Sequence, residues 1–256
     1  MDTTFKEIAI RAAEEAGKIL MRHYPNVSVR FKEEGFDVGS VVTDADMESE
    51  RKIIDILSEN FPEHAIYGEE TGMRGEEGEY TWYIDPLDGT SNFTRHIPLW
   101  GISIGLVKNG EPVLGVLKFP ALDILVFAEK GKGCSANGKT GQVSPRPIEK
   151  SLYYSGGKFG GKGMQFKKTL AEKSGFVKII DASSYELAQI AMGEAEIYYL
   201  ANVPHDVVAG ISIVRESGGM VTDGEGNPWR IDSRDILATN GVCHADALAA
   251  LHEREL

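Results

Sequence analysis

Apolar residues recur at helical spacing from the start of the chain. Phe5, Ile8, Ala9, Ala12, Ala13, Ala16, Ile19 and Leu20 share one face and predict a helix over 4–23. Thr4 followed by Glu7 has the form of a capping box at its start, and Pro25 closes it. A second helix is expected over 44–60, with Met47, Ile53, Ile54 and Leu57 inward and Pro62 just past its end. Short strands follow at Ala65–Tyr67 and Thr81–Asp85. Strand alternation then takes over: Ile102, Ile104 and Leu106 lead into Asn109-Gly110, a strong hairpin signal, and Val113–Phe119 return. With a third strand at Asp123–Ala128 and a turn at Asn137-Gly138, this reads as an antiparallel meander.

Past Lys150 the rhythm changes to alternation of strand and helix. Strands are expected over 152–155, 176–180, 195–200, 219–223 and 235–239, and helices over 164–173, 184–192, 207–217 and 245–254. That order suggests a mixed, partly parallel sheet covered by helices. The glycine-rich stretch 156–163 reads as a loop. The expected class is therefore α/β (α+β) in two halves, 1–145 with helices and the meander sheet, and 146–256 with the mixed sheet.

Composition narrows the function. The chain has 256 residues, 42% hydrophobic and 26% charged, which excludes disorder. Lys plus Arg is 27 and Asp plus Glu is 39, a net charge of −12, so sequence-independent nucleic-acid binding is not expected. The acid surplus is either solubility or carboxylates gathered for a metal. No run of 18 apolar residues marks a membrane span, and the N-terminus does not read as a secretory signal. Cys134 and Cys243 lack C-x-x-C spacing and read as reduced, buried thiols of a cytoplasmic protein.

The informative segment is Trp82-Tyr83-Ile84-Asp85-Pro86-Leu87-Asp88-Gly89-Thr90-Ser91-Asn92-Phe93. An apolar strand delivers Asp85 to its end, Pro86 stops the ladder because it has no N–H, and a turn can aim Asp88 at the same point. Gly89 permits close approach of a ligand, and the first N–H groups of a following short helix suit a phosphate. Two carboxylates beside an anion site require a hard cation between them, since they would otherwise repel the phosphate.

Asp85-Pro86-Leu87-Asp88-Gly89-Thr90 resembles the metal-binding motif of the inositol monophosphatase family of lithium-sensitive, magnesium-dependent phosphatases. Gly68-Glu69-Glu70, Val42-Thr43-Asp44-Ala45-Asp46, His205-Asp206-Val207-Val208-Ala209-Gly210 and Gly218-Gly219-Met220-Val221-Thr222-Asp223 resemble further family segments in the same order. The resemblance covers about residues 5 to 252 and implies a layered αβαβα sandwich. It implies that Glu69, Asp85, Asp88, the Leu87 carbonyl and Asp206 bind two or three Mg²⁺, with Mn²⁺ as an alternative. It implies that Thr90 and Asp46, with Glu69, activate a water for in-line attack on phosphorus. Gly89, Thr90, Ser183 and Asp206 would contact the substrate, with Glu70, His205 and Lys158 as further candidates. A small phosphorylated metabolite as partner, no nucleic acid or membrane, and a homodimer are implied as well.

Each residue also has a plain reading. Asp46 is placed to complete a capping box with Thr43, Asp206 to cap a helix, Glu69 and Glu70 to be a solvated pair, and Asp85 and Asp88 to form a turn. Their joint occurrence in family order favours the site. Two departures bear on the substrate. His205 stands where the family has Trp, and Tyr198-Tyr199 is followed by Leu200 where inositol-specific members carry an acid. The resemblance implies myo-inositol 1-phosphate as the substrate, and because no carboxylate follows the Tyr pair to meet the polyol, fructose 1,6-bisphosphate, histidinol phosphate and 3′-phosphoadenosine 5′-phosphate stand as alternatives. Lys158 and Lys162 are placed to reach a second phosphate, and Ser183 and Ser184 to touch substrate or cap a helix. A regulatory binding partner is the alternative of another class.

Overall fold

The computed structural model describes residues 4–27, 29–31, 41–76, 78–156, 161–201 and 207–253. In its first half α1 (Phe5–His23) is followed by the two-stranded antiparallel ribbon β1 (Val29–Phe31) and β2 (Val41–Thr43), then by α2 (Asp44–Asn60). Next come β3 (Ala65–Gly68), β4 (Gly72–Arg74), β5 (Tyr80–Asp88), α3 (Thr90–Thr94), β6 (Gly101–Lys108), β7 (Glu111–Phe119), β8 (Ile124–Glu129), β9 (Cys134–Ala136) and β10 (Lys139–Gly141). The second half runs β11 (Leu152–Ser155), α4 (Gly161–Lys173), β12 (Phe176–Lys178), α5 (Ser183–Ala191), β13 (Ile197–Ala201), α6 (Val208–Glu216), β14 (Met220–Thr222), β15 (Asp235–Thr239) and α7 (His244–His252).

Five layers result, the αβαβα order that the resemblance implies. α1 and α2 cover one face of an eight-stranded sheet of order β10-β9-β8-β7-β6-β5-β3-β4, in which β3 and β5 run parallel and the other neighbours antiparallel. α5 and α6 fill the space between that sheet and a five-stranded mixed sheet of order β12-β11-β13-β15-β14. α4 and α7 close the far side over Tyr153, Ile197, Tyr199 and Leu237. α6 lies so near β7 that a Cβ on Gly115 would sit 2.1 Å from the Ala209 carbonyl oxygen, so no larger residue fits this crossing.

Local signals account for the helices. Thr4 and Glu7 exchange hydrogen bonds at 3.0 and 3.3 Å, and the apolar face Ile8, Ala9, Ala12, Ala13, Ala16 and Leu20 is buried. In α2, Ile53, Ile54 and Leu57 are buried as expected, but Met47 is 47% exposed, and the buried face opens with Asp46, Ser49 and Glu50 beside Ala45. The reason is angular. Residues 46, 49, 50, 53 and 57 share one stripe of a 3.6-residue helix, and Met47 falls outside it. α4 begins at Gly161 instead of after 163, because a first turn needs no intrahelical N–H acceptors and Phe166 and Leu170 anchor the helix beneath Tyr153 and Tyr199. The ribbon β1–β2 and strand β4 have three residues each, too short for a periodic signal. Cys134 and Cys243 are buried free thiols, pushed up to about 11 and about 12 by burial.

His244 opens α7 in a buried position, with Nε2 at 3.1 Å from Thr222 Oγ1 and Nδ1 at 3.0 Å from Thr239 Oγ1. Thr222 spends its hydroxyl hydrogen on the Asp223 carbonyl, so it accepts from Nε2–H; Nδ1 then accepts from Thr239. That tautomer has no room for a second ring proton, and burial holds the imidazole below its ordinary value of 6.5. A depressed histidine contributes stability above its unfolded value that is lost as pH falls through the folded one. The stability gap between wild type and His244→Gln should therefore shrink as pH falls from about 7.5 to about 5. Denaturant titrations across that range check this, and a gap independent of pH would contradict the assignment.

Candidate active site

The site begins with an irregularity in β5. Asp85 pairs with Ser103 and Asp88 with Gly101, so three steps along β5 match two along β6. One extra residue is accommodated at Pro86-Leu87, where proline offers no N–H to the ladder. Because side chains alternate, the extra residue returns Asp88 to the face that Asp85 occupies. The Leu87 N–H turns to donate to Asp85 Oδ1 at 2.9 Å, and Ser49 Oγ on α2 donates to the Pro86 carbonyl at 3.2 Å. The Leu87 side chain fills the core under α1 and α2.

Gly89 then turns the chain with φ +84°, in the left-handed region, and caps α3. A Cβ there would also lie 3.0 Å from the Leu99 carbonyl oxygen and 3.1 Å from Ala182 Cβ, so two constraints select glycine. The N–H groups of Asn92 and Phe93 both return to the Gly89 carbonyl, at 2.9 and 3.0 Å; those of Thr90 and Ser91 precede them, where a helix start has no internal acceptor. Thr90 Oγ1 donates to the Leu87 carbonyl at 3.0 Å and lies 3.4 Å from Asp46 Oδ1. Asp46 Oδ2 accepts from the Thr43 N–H at 2.8 Å and from Thr43 Oγ1 at 2.5 Å. The capping role and the contact to Thr90 thus coexist, one on each carboxylate oxygen.

Asp88 reaches across to the second sheet's helices. Its two oxygens accept the N–H groups of Ser183 at 3.2 Å and Ser184 at 2.6 Å. This carboxylate, not a serine, caps α5, whose N-cap Ala182 has no side-chain acceptor. The Ser183 Oγ instead accepts from the Tyr198 hydroxyl at 2.9 Å. Beside it, Asp181 holds φ +64° and accepts from Ser91 Oγ at 3.2 Å, while the buried Glu186 accepts the Ile180 N–H at 3.2 Å. Glu69 and Glu70 leave the end of β3, which pairs with β5 through Gly68 and Ile84; the Glu69 N–H donates to the Ile84 carbonyl at 3.1 Å.

Burial pushes the Asp46 carboxyl up to about 7, against the lowering effect of its Thr43 hydrogen bonds, and Glu70 and Glu69 add to the rise. Burial likewise raises Asp88, with Asp181 and Glu69 contributing, and Glu186, with Asp88 and Asp181 contributing. Carboxylates here face carboxylates, and a cation relieves that repulsion. The donor set tests which cation fits. Asp85, Asp88, Glu69 and the Leu87 carbonyl are all hard oxygens, suited to Mg²⁺ or Mn²⁺. Among the described residues no three His, Cys, Asp or Glu side chains are gathered closely enough to hold an ion by themselves. Asp206, which the resemblance adds to the set, lies outside the described residues, as do His205 and Lys158.

Direct contacts join Asp46, Thr90 and Leu87, and Asp88 with Ser183, while Glu69 is linked to Asp46 and Asp88 by charge. Ser49, Glu50, Asp181 and Glu186 also stand at or beside the site, and no motif in the sequence marks them. Helical spacing from Asp46 would have flagged Ser49 and Glu50; nothing in the chain signals that Asp181 takes a left-handed conformation.

A model of the inositol monophosphatase family matches residues 1–256. The fructose-1,6-bisphosphatase/inositol-1-monophosphatase of Thermotoga maritima is 32% identical over 248 residues, 96% of this chain and 95% of that protein. The inositol-1-monophosphatase of Mesorhizobium japonicum is 31% identical, over 95% of this chain and 94% of its own. The crystal structure of the extragenic suppressor protein suhB from Bartonella henselae superposes with a TM-score of 0.92 at 29% identity, covering 99% of this chain and 100% of that one. The chain belongs to the inositol monophosphatase family and is a phosphoric monoester hydrolase.

Proposed function

We propose that the protein is a Mg²⁺-dependent phosphomonoesterase acting on a small polyol or sugar phosphate, with myo-inositol 1-phosphate the first substrate. The observation that carries this reading is the β5 bulge, which turns Asp85 and Asp88 to one side with the Asp46–Thr90 pair beside them. Glu69, Asp85, Asp88, the Leu87 carbonyl and Asp206 would hold two or three ions, and Mn²⁺ could replace Mg²⁺. Bound there, a divalent ion supplies Lewis-acid stabilisation of phosphoryl charge and a water of lowered pKa. Rotation of the Thr90 hydroxyl from the Leu87 carbonyl toward Asp46 Oδ1 would let its own proton pass to the Asp46 carboxylate as Oγ1 takes a proton from the attacking water, so that Thr90 ends neutral and Asp46 protonated. The Gly89 and Thr90 N–H groups hold the phosphate, and Ser183 meets the leaving group.

On this reading residues 1–145 supply most ligands and residues 146–256 supply Asp206 and the substrate contacts, in a cytoplasmic homodimer. The Thermotoga maritima relative carries both fructose-1,6-bisphosphatase and inositol-1-monophosphatase in its name, which supports testing the bisphosphate beside the inositol ester. A Neisseria meningitidis relative, 33% identical over 92% of this chain, is named a putative Nus factor SuhB, and this supports regulatory binding as the second reading.

Phosphate release from inositol 1-phosphate, fructose 1,6-bisphosphate, histidinol phosphate and 3′-phosphoadenosine 5′-phosphate should identify at least one substrate at millimolar Mg²⁺. No turnover with any of them would move the balance to the regulatory reading. Excess chelator should stop turnover, added Mg²⁺ should restore it, and Li⁺ should inhibit; activity that persists without divalent cation contradicts the scheme. Asp88→Asn should lower kcat by at least about tenfold with an unchanged circular-dichroism spectrum, since a loss of this size is what supporting metal-site groups already cause. A variant keeping more than about a tenth of the rate would remove Asp88 from the ligand set.

A further inference from the structure

α2 turns three polar side chains inward in its first two turns, of which Asp46 lies beside Thr90 and Ser49 bonds the Pro86 carbonyl. The third, Glu50, is fully buried. Its Oε2 accepts the Glu70 N–H at 2.8 Å, whereas its Oε1 is buried without a hydrogen-bond partner. The carboxyl group lies against Gly68: a Cβ there would stand 2.6 Å from Glu50 Cδ and 2.7 Å from each Glu50 oxygen. β3 ends at Gly68, so the main-chain ladder no longer fixes Glu70, and a side chain from α2 supplies the bond instead. A buried carboxylate with one hydrogen bond is a costly way to pack a helix, and an apolar residue of similar size would do so without the penalty.

We propose that Glu50 is a positioning residue for Glu69 and Glu70, clamping the end of β3 so that these carboxylates are presented to the site beside Asp46 and Asp88. The inference rests on the reading of Glu69 as a cation ligand. Gly68 is the other half of the clamp, because only a residue without a side chain lets the carboxyl group reach the Glu70 N–H.

The test is Mn²⁺ binding to the full chain, measured by electron paramagnetic resonance, with thermal melts alongside. Glu69→Gln and Glu50→Ala should each weaken Mn²⁺ affinity by about 10- to 100-fold. Glu50→Gln, whose amide oxygen still accepts from the Glu70 N–H, should bind more tightly than Glu50→Ala. Gly68→Ala should weaken binding in the wild-type background and add nothing to Glu50→Ala, since the group it would strike is gone. Wild-type affinity in Glu50→Ala, with or without a lowered melting temperature, overturns the proposal while leaving the cation site standing if Glu69→Gln is impaired. Should Glu50→Ala not fold, equal affinity of Glu50→Gln, Gly68→Ala and wild type overturns it in the same way. Unimpaired binding by Glu69→Gln, or no Mn²⁺ bound by wild type, overturns the cation reading and the proposal together.

Discussion

The carboxylate of Asp88 is the joint on which the site depends. It ends the β5–β6 ladder of the first sheet, and both of its oxygens accept N–H groups at the start of α5, in the layer shared with the second sheet. An anion at a helix start is favourable by about 0.3–1 kcal/mol, and by up to about 2 kcal/mol where partly buried. Against this stands the desolvation of a buried carboxylate, of several kcal/mol. The second effect wins, since the Asp88 carboxyl remains raised despite its hydrogen bonds. The joint is held in place by the fold around it more than by its own energy.

That balance explains the surrounding construction. One inserted residue turns Asp88 to the side of Asp85, and Ser49 fixes the carbonyl at the insertion. Asp46 is tied at one oxygen by its capping box, which leaves the other facing Thr90. Asp85, Asp88 and Asp46 each accept from neutral donors, the Leu87 N–H, the Ser183 and Ser184 N–H groups, and Thr43. Neutral donors orient a carboxylate without cancelling its charge. A buried Lys or Arg in the same places would cancel it, and would leave little for a cation to do.

How far the sequence reaches can be judged from α2 and β5. The hydrophobic pattern places α2 correctly but turns Met47 inward, because it assumes that a buried face is apolar throughout. The true face carries Asp46, Ser49 and Glu50 beside Ala45 in its first two turns, where polar side chains toward the site adjoin the core. In β5 the residue types alone suggest that Asp85 and Asp88 converge, since proline must break the ladder; that α5 is the partner of Asp88 depends on a contact between residues 95 and 96 positions apart. No local signal carries such a contact. Asp181 is the extreme case, an aspartate in a conformation usually left to glycine, placed by the loop between Ile180 and α5.

The uneven distribution of charge follows from the same physics. Most of the −12 can be solvated at low cost, but Asp46, Asp88 and Glu186 are raised by burial, and nearby acids add to it: Glu70 and Glu69 at Asp46, Asp181 and Glu69 at Asp88, Asp88 and Asp181 at Glu186. Folding therefore assembles repulsion at one place and keeps it there. On the proposed reading this repulsion would make the site selective, since a bare phosphate would meet acid, and divalent charge between it and the carboxylates would let it approach the N–H groups of α3. Any ion that binds the native chain and relieves this repulsion also stabilises the fold, so cation affinity and fold stability are two measures of the same stored electrostatic cost.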